Sequence, residues 1–290
     1  MKKFRLLLFI SILFFTSCQK SEESKLNIAV AANMQFAMKE IIKEFKEQTG
    51  IECQMMTSSS GKLNAQIKEG APYHIFVSAN MKYPQDLFDA GFTTSNPEIY
   101  AYGKLVLWSM KEGVLPSIEL LQKVQINHIA IANPKTAPYG TAAKEVLMNL
   151  NLYKDLESKL VYGESVAQCN QFILSKSAEM GFTAKSVVLS MHGKDQGQWI
   201  DVEDSLYSPI TQGAVIIKQN EMHAEAKEFY EFLFSDRAAL ILEGFGYQVS
   251  VAQDWLGIIQ ESKLSSEKDK LAVLLEEATE LTKIVLKAKD

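Results

Sequence analysis

The sequence predicts an α/β fold built on mostly parallel sheets flanked by helices. Three observations point there. Short β-rich runs alternate with segments of helical spacing along most of the chain. The strand candidates are continuously apolar, as in LNIAVAA at 26–32, which is the pattern of strands covered on both faces. With 290 residues, 47% of them hydrophobic, the chain can also bury a sizeable core.

Residues 26–32 open the fold as a strand. A helix follows at 34–47, where Met34, Ala37, Met38, Ile41, Ile42 and Phe45 recur at helical spacing, and Gly50 closes it. Further strands are expected at 51–56, 74–78, 105–110, 128–132, 159–162, 180–189 and 214–217. Helices are expected at 62–69, 141–150, 166–174 and 224–244. Beyond Val251 the register changes. Residues 265–290 form a charged amphipathic pattern with Leu271, Leu274, Leu275, Ala278, Leu281 and Val285 on one stripe, which suits a helix packed on its own domain.

The chain begins MKKFRLLLFISILFFTSC. Lys2, Lys3 and Arg5 precede an apolar run at 6–15, of signal-peptide length and too short to span a membrane. Thr16 and Ser17 then lead into Cys18. This arrangement resembles the lipobox of bacterial lipoproteins, with Phe15 where that pattern has an aliphatic residue. It implies cleavage of 1–17, a lipid on Cys18, and a polar tether at 18–25. An ordinary cleaved signal peptide with an incidental cysteine is the alternative. Either way the chain is expected to leave the cytoplasm for the periplasm or cell surface.

Residues 1–17 carry three basic side chains and no acid, so cleavage moves the formal charge from −5 to −8. An acidic surface argues against nucleic acid as a partner. It also argues against gathering anions by global attraction. Cys53 and Cys169 are too few for a disulfide framework and read as buried thiols.

Four segments join a strand to a helix through small or polar residues: VAANMQ around Asn33, TSSSGK around Ser60, NPKTAPYGTAAKE around Tyr139, and VYGESVAQ around Val166. Each helix start presents unpaired N–H groups and the positive end of a dipole, so it can hold an anion without a cation. The Asn33 amide, Ser60 hydroxyl and Tyr139 phenol could add neutral donors. A nucleotide loop is excluded, because Met56 and Leu63 stand where a Walker motif needs Gly and Ser or Thr. Ser59 with Lys62, Ser78-Ala79-Asn80 and Lys135-Thr136-Ala137 echo imperfectly the three motifs of penicillin-recognising serine enzymes. A serine hydrolase using Ser59 and Lys62 is therefore the reading from another class. The four histidines show no metal-ligand spacing.

NIAVAANMQFAMKEIIKEFKEQTG (27–50), SSSGKLNAQIKEGAPYHIFVSAN (58–80), NPKTAPYGTAAKEVL (133–147), GESVAQCNQFI (163–173) and EMGFTA (179–184) keep a fixed order and spacing. Together they resemble the periplasmic molybdate-binding proteins of ABC importers, over residues 26–247. The resemblance implies a two-lobed type II periplasmic-binding-protein fold with a tetrahedral oxyanion between the lobes. Lobe 1 would comprise 26–103 and 209–251, lobe 2 104–208, and a C-terminal helical extension 252–290. The implied oxyanion ligands are Ala32, Asn33, Ser60, Tyr139 and the Val166 N–H, with no catalytic residue, no cofactor and no bare metal cation.

Many members of that family carry serine where this chain has Asn33, and tyrosine where it has Ala184. The resemblance implies that Tyr139 takes the donor role Ala184 cannot play. Ser59, Lys62 and Lys185 are expected to stand outside the ligand set. The implied function is a monomeric extracytoplasmic lipoprotein that captures molybdate or tungstate and passes it to a membrane permease. A sulfate or phosphate receptor is the alternative within the binding class.

Overall fold

A computed structural model describes residues 25–191, 196–219 and 222–249. The signal segment, Cys18, His192 and the extension at 252–290 lie outside the described residues. The described chain forms two five-stranded sheets, each flanked by helices, and thus two lobes.

The first sheet contains β1 (Leu26–Ala31), β2 (Cys53–Ser58), β3 (Ile75–Val77), β4 (Glu98–Gly103) and β10 (Ile210–Ile216), in the order β2-β1-β3-β10-β4. The second contains β5 (Leu105–Ser109), β6 (Ile129–Ala132), β7 (Leu160–Gly163), β8 (Met180–Ala184) and β9 (Gln198–Asp201), in the order β7-β6-β8-β5-β9. In each sheet four strands run the same way and one, β10 or β5, runs against them, so the sheets are mostly parallel with a single antiparallel strand. β1 pairs in parallel with β2 and β3, and β6 with β7 and β8, because helical crossovers join them. β10 runs antiparallel to β3 and β4, and β5 antiparallel to β8 and β9. Both of those strands enter their sheet directly from the other lobe. Only Lys104 separates β4 from β5, and the return runs from β9 to β10.

The helices bury the stripes that the sequence marks. α1 (Gln35–Thr49) buries Ala37, Met38, Ile41 and Phe45. Gly50 closes it with φ 77° and an N–H donated to the Lys46 carbonyl. Phe45 meets Phe229 edge to face at 5.0 Å, tying α1 to the C-terminal part of the first lobe. α2 (Ser60–Lys68) and α3 (Lys82–Asp89) complete the first lobe's early part, and α3 has no counterpart among the expected helices. In the second lobe, α4 (Pro138–Asn149) starts with proline at its first turn, where the missing N–H costs nothing. The short α5 (Tyr153–Leu156), α6 (Val166–Leu174) and α7 (Lys185–Leu189) follow.

Residues 180–189, expected as one strand, divide into β8 and α7 at Ala184. The long helix expected at 224–244 divides into α8 (His223–Leu233) and α9 (Asp236–Gly244), because the Ser235 hydroxyl accepts from the Ala238 N–H and starts a new helix. Apolar spacing alone continues through that cap, which is why the sequence did not reveal it.

Gly140 lets α4 lie on the end of β6, since a Cβ there would stand 2.0 Å from the Ala132 carbonyl oxygen. Nothing lies within 4 Å of a Cβ at Gly244. Gly140→Ala should therefore destabilise the protein by about 1–3 kcal/mol. Gly244→Ala should be neutral or stabilising by up to about 1 kcal/mol. Thermal unfolding of both variants measures the difference.

Candidate functional site

The two lobes meet over one small pocket. From the first lobe it is lined by Ala31, Ala32, Asn33, Ser59, Ser60 and Ala79, and from the second by Ala137, Pro138, Tyr139 and Val166. All of these but Ala79 are strand-end or helix-start residues or lie beside one, and Ala79 follows β3 by two residues. All five oxyanion-ligand positions named in the sequence analysis thus reach the same cavity.

The local folding explains what each turn presents. A 3-10 turn at Ala32–Met34 follows β1 directly, Ser60 is the first residue of α2, Tyr139 the second of α4, and Val166 the first of α6. At such positions the amide has no carbonyl one turn back. The amides of Asn33, Ser60, Tyr139 and Val166 donate to no other protein group among the described residues. The Ser60 side chain is fully buried, and its Oγ accepts from the Ala79 N–H at 3.0 Å. Its single proton is left for an acceptor elsewhere.

Asn33 plays a part the sequence did not indicate. Its side-chain amide donates to Gln212 Oε1 at 2.7 Å and to the Tyr247 hydroxyl at 3.1 Å, so both protons are engaged. Its carbonyl accepts from Ser186 Oγ at 2.8 Å, and the Tyr247 and Ser186 hydroxyls lie 2.9 Å apart. Asn33 and Tyr247 belong to the first lobe and Ser186 to the second, so this buried circuit crosses between them. What Asn33 leaves free at the pocket is its backbone N–H, not its side chain. The Tyr139 phenol is buried without a hydrogen-bond partner, against the chain crossing at Gly103, where a Cβ would come within 2.1 Å of its oxygen. Gln212, Tyr247 and Ser186 lie 61 or more residues from their partners, or in a different lobe, so no local pattern could have marked them.

The rim is also closed. The Gly61 N–H donates to the Thr136 carbonyl at 2.9 Å, and the Tyr83 hydroxyl to the Lys135 carbonyl at 3.2 Å. A Cβ on Gly61 would meet Tyr83 Oη at 2.7 Å and Thr136 Cα at 3.0 Å, so the lobes approach this closely only over glycine. Lys62 pairs across the rim with Glu164, and Lys185 with Asp201 at 2.9 Å. Both lysines are thus committed to carboxylates outside the pocket lining. Lys62 makes no contact with Ser59, whose Oγ is buried and has no partner, so no serine–lysine dyad forms.

No charged side chain lines the pocket. The nearby phenols stay neutral: burial holds Tyr139 and Tyr100 well above the ordinary tyrosine range and pushes Tyr247 up to about 12. Among the described residues no group of histidine, cysteine or carboxylate side chains could hold a metal ion. His74 instead accepts from the Asn27 N–H at 2.8 Å. Cys53 and Cys169 are free thiols, Cys169 buried and Cys53 half-buried. The arrangement can bind a compact anion through neutral donors, and it offers no nucleophile with an adjacent base.

Residues 26–248 match the family model for bacterial extracellular solute-binding proteins. The molybdate-binding protein of Azotobacter vinelandii is 37% identical over 229 residues, covering 78% of this chain and 91% of that protein. That of Rhodobacter capsulatus is 39% identical over 220 residues, covering 76% and 86%. The solved structure of the Azotobacter vinelandii periplasmic molybdate-binding protein superposes with a TM-score of 0.74 at 34% identity, covering 78% of this chain and 99% of that one. The sulfate-binding protein SubI of Mycobacterium tuberculosis shares the fold at 12% identity, with a TM-score of 0.67 over 81% of this chain and 91% of its own. This chain belongs to the bacterial extracellular solute-binding proteins, which places its work outside the cytoplasm.

Tyr247→Phe removes one hydroxyl from the interlobe circuit and strands the Asn33 and Ser186 groups that face it. The closed form should lose about 1–3 kcal/mol. Scattering should then show a larger share of open molecules than in the wild type. Because burial raises the phenol pKa values, the neutral, donating form persists in the folded protein. Stability from these tyrosines is full below about pH 10, where the unfolded phenol ionises, and is lost as pH rises further toward the folded values. Anion affinity should accordingly be flat from about pH 6 to about pH 9, as titration calorimetry across that range would record.

Proposed function

We propose that this protein captures molybdate between its two lobes and delivers it to the membrane permease of an ABC importer. One observation carries the reading: four unpartnered helix-start amides converge on a pocket with no charged side chain in its wall. A dianion supplies the acceptors those amides lack, and the helix dipoles stabilise its charge. The two molybdate-binding relatives, matched over more than three quarters of this chain, make molybdate the oxyanion of choice.

The ligands in this reading are the Ala32–Asn33 turn, Ser60 through both amide and hydroxyl, the Tyr139 amide and the Val166 amide. Tungstate, with the same shape and charge, binds alongside molybdate. Sulfate is smaller, so donors fixed at the larger spacing lose or stretch their hydrogen bonds to it. No chemistry is performed on the ligand, and no cofactor takes part. The mature protein is a monomer held at the membrane by a lipid on Cys18.

A thermal-shift panel tests the choice of ligand. Molybdate at a hundredfold excess over its dissociation constant should stabilise the protein by about 2.7 kcal/mol. Tungstate should act similarly, and sulfate, phosphate and chromate much less. Equal stabilisation by sulfate would contradict the reading. Ser60→Ala removes a charge-assisted hydrogen bond of roughly 1.5–3 kcal/mol. It should weaken molybdate binding by on the order of tenfold or more, whereas Lys62→Ala should leave it nearly unchanged.

A further inference from the structure

Ser59 stands in the pocket wall, immediately before the serine assigned to the anion. It is 3% exposed, and its Oγ has no hydrogen-bond partner. Its position makes that notable. Ser59 is the N-cap residue of α2, with φ −69° and ψ 147°, the extended conformation from which a serine hydroxyl ordinarily accepts from its own helix. Two other serines in this chain do so: Ser165 accepts from the Gln168 N–H and Ser235 from the Ala238 N–H. Ser59 has the same residue type and the same helix position, but no such bond. Its hydroxyl neither caps α2 nor touches Lys62, which is paired with Glu164.

We propose that Ser59 is a further ligand of the anion, its hydroxyl donating to the bound oxyanion from the first lobe beside Ser60. The proposal rests on the oxyanion-binding reading of this pocket and extends it. A buried hydroxyl has one proton to give, and a dianion is the acceptor this cavity is shaped to take. The backbone brings both serines to the cavity, because the chain is extended at Ser59 and turns helical at Ser60. Ser60 Oγ is steadied by the Ala79 N–H, while Ser59 Oγ is steadied by the ligand alone. Ser59 therefore contributes to holding the anion without contributing to the fold of α2. This revises the expectation from sequence that Ser59 stands apart from the ligand set.

Titration calorimetry with sodium molybdate on wild type, Ser60→Ala, Ser59→Ala and Ser59→Cys tests the proposal, with thermal unfolding of each ligand-free protein alongside. Ser59→Ala should weaken binding by about tenfold or more and leave ligand-free unfolding unchanged. Ser59→Cys, which keeps a side-chain donor but a larger and weaker one, should fall between it and wild type. Ser59→Ala binding as tightly as wild type, while Ser60→Ala does not, would overturn this proposal and leave the oxyanion reading standing. Retained affinity with a lowered ligand-free unfolding temperature would make Ser59 a helix cap and would also overturn it. Failure of the wild type to bind molybdate would remove both.

Discussion

A buried N–H with nothing to donate to is among the costlier defects a fold can carry, and four residues whose amides lack a partner line one pocket here. Asn33, Ser60, Tyr139 and Val166 each sit at the start of a helical segment, where geometry denies the amide an intrahelical carbonyl. The pocket between them contains no lysine, arginine or histidine. That absence has a functional meaning. A cation would attract any dianion, whereas fixed neutral dipoles reward only one whose oxygens fall where the donors are. On an acidic chain, with formal charge −5 before any processing, selectivity of this kind has to be local.

In the proposed site the donors are divided between the lobes, so that binding and closure become one event. Asn33 is the joint. It lines the pocket with its backbone N–H unpartnered, while its side chain and carbonyl are held by Gln212, Tyr247 and Ser186 in a buried circuit that spans both lobes. Gly61 performs a comparable service at the rim, where only the lack of a side chain allows its amide to reach the Thr136 carbonyl. The exposed pair Lys62–Glu164 also bridges the rim, but with side chains 42% and 69% exposed it adds little to closure. Buried neutral hydrogen bonds, not surface ion pairs, hold the lobes together.

The sequence disclosed the parts of this site that depend on local pattern. Asn33, Ser60, Tyr139 and Val166 could be found because a strand, a small polar turn and a helix follow one another within a dozen residues. The direction of their side chains could not. The Asn33 amide reads as an anion donor, but it is drawn off by Gln212, 179 positions away. Tyr139 reads as a phenol donor, and its oxygen, buried without a hydrogen-bond partner, lies beside the interlobe crossing at Gly103. The single antiparallel strand in each sheet was hidden for a related reason. β5 and β10 are buried along almost their whole length, as their parallel neighbours β8 and β3 are, and their antiparallel direction follows from the chain's passage between lobes rather than from composition. Ser59 shows the same limit at the smallest scale: a serine before a helix looks like a cap, and only its missing bond says otherwise.

In the proposed site, backbone amides and serine hydroxyls hold the anion with no cationic side chain. A crystal structure of the protein with molybdate bound tests it most directly. Oxyanion oxygens should lie about 2.7–3.2 Å from the amides of Asn33, Ser60, Tyr139 and Val166, with Lys62 still paired to Glu164. An ammonium or guanidinium group in direct contact with the molybdate, or the ion bound outside this pocket, would contradict it.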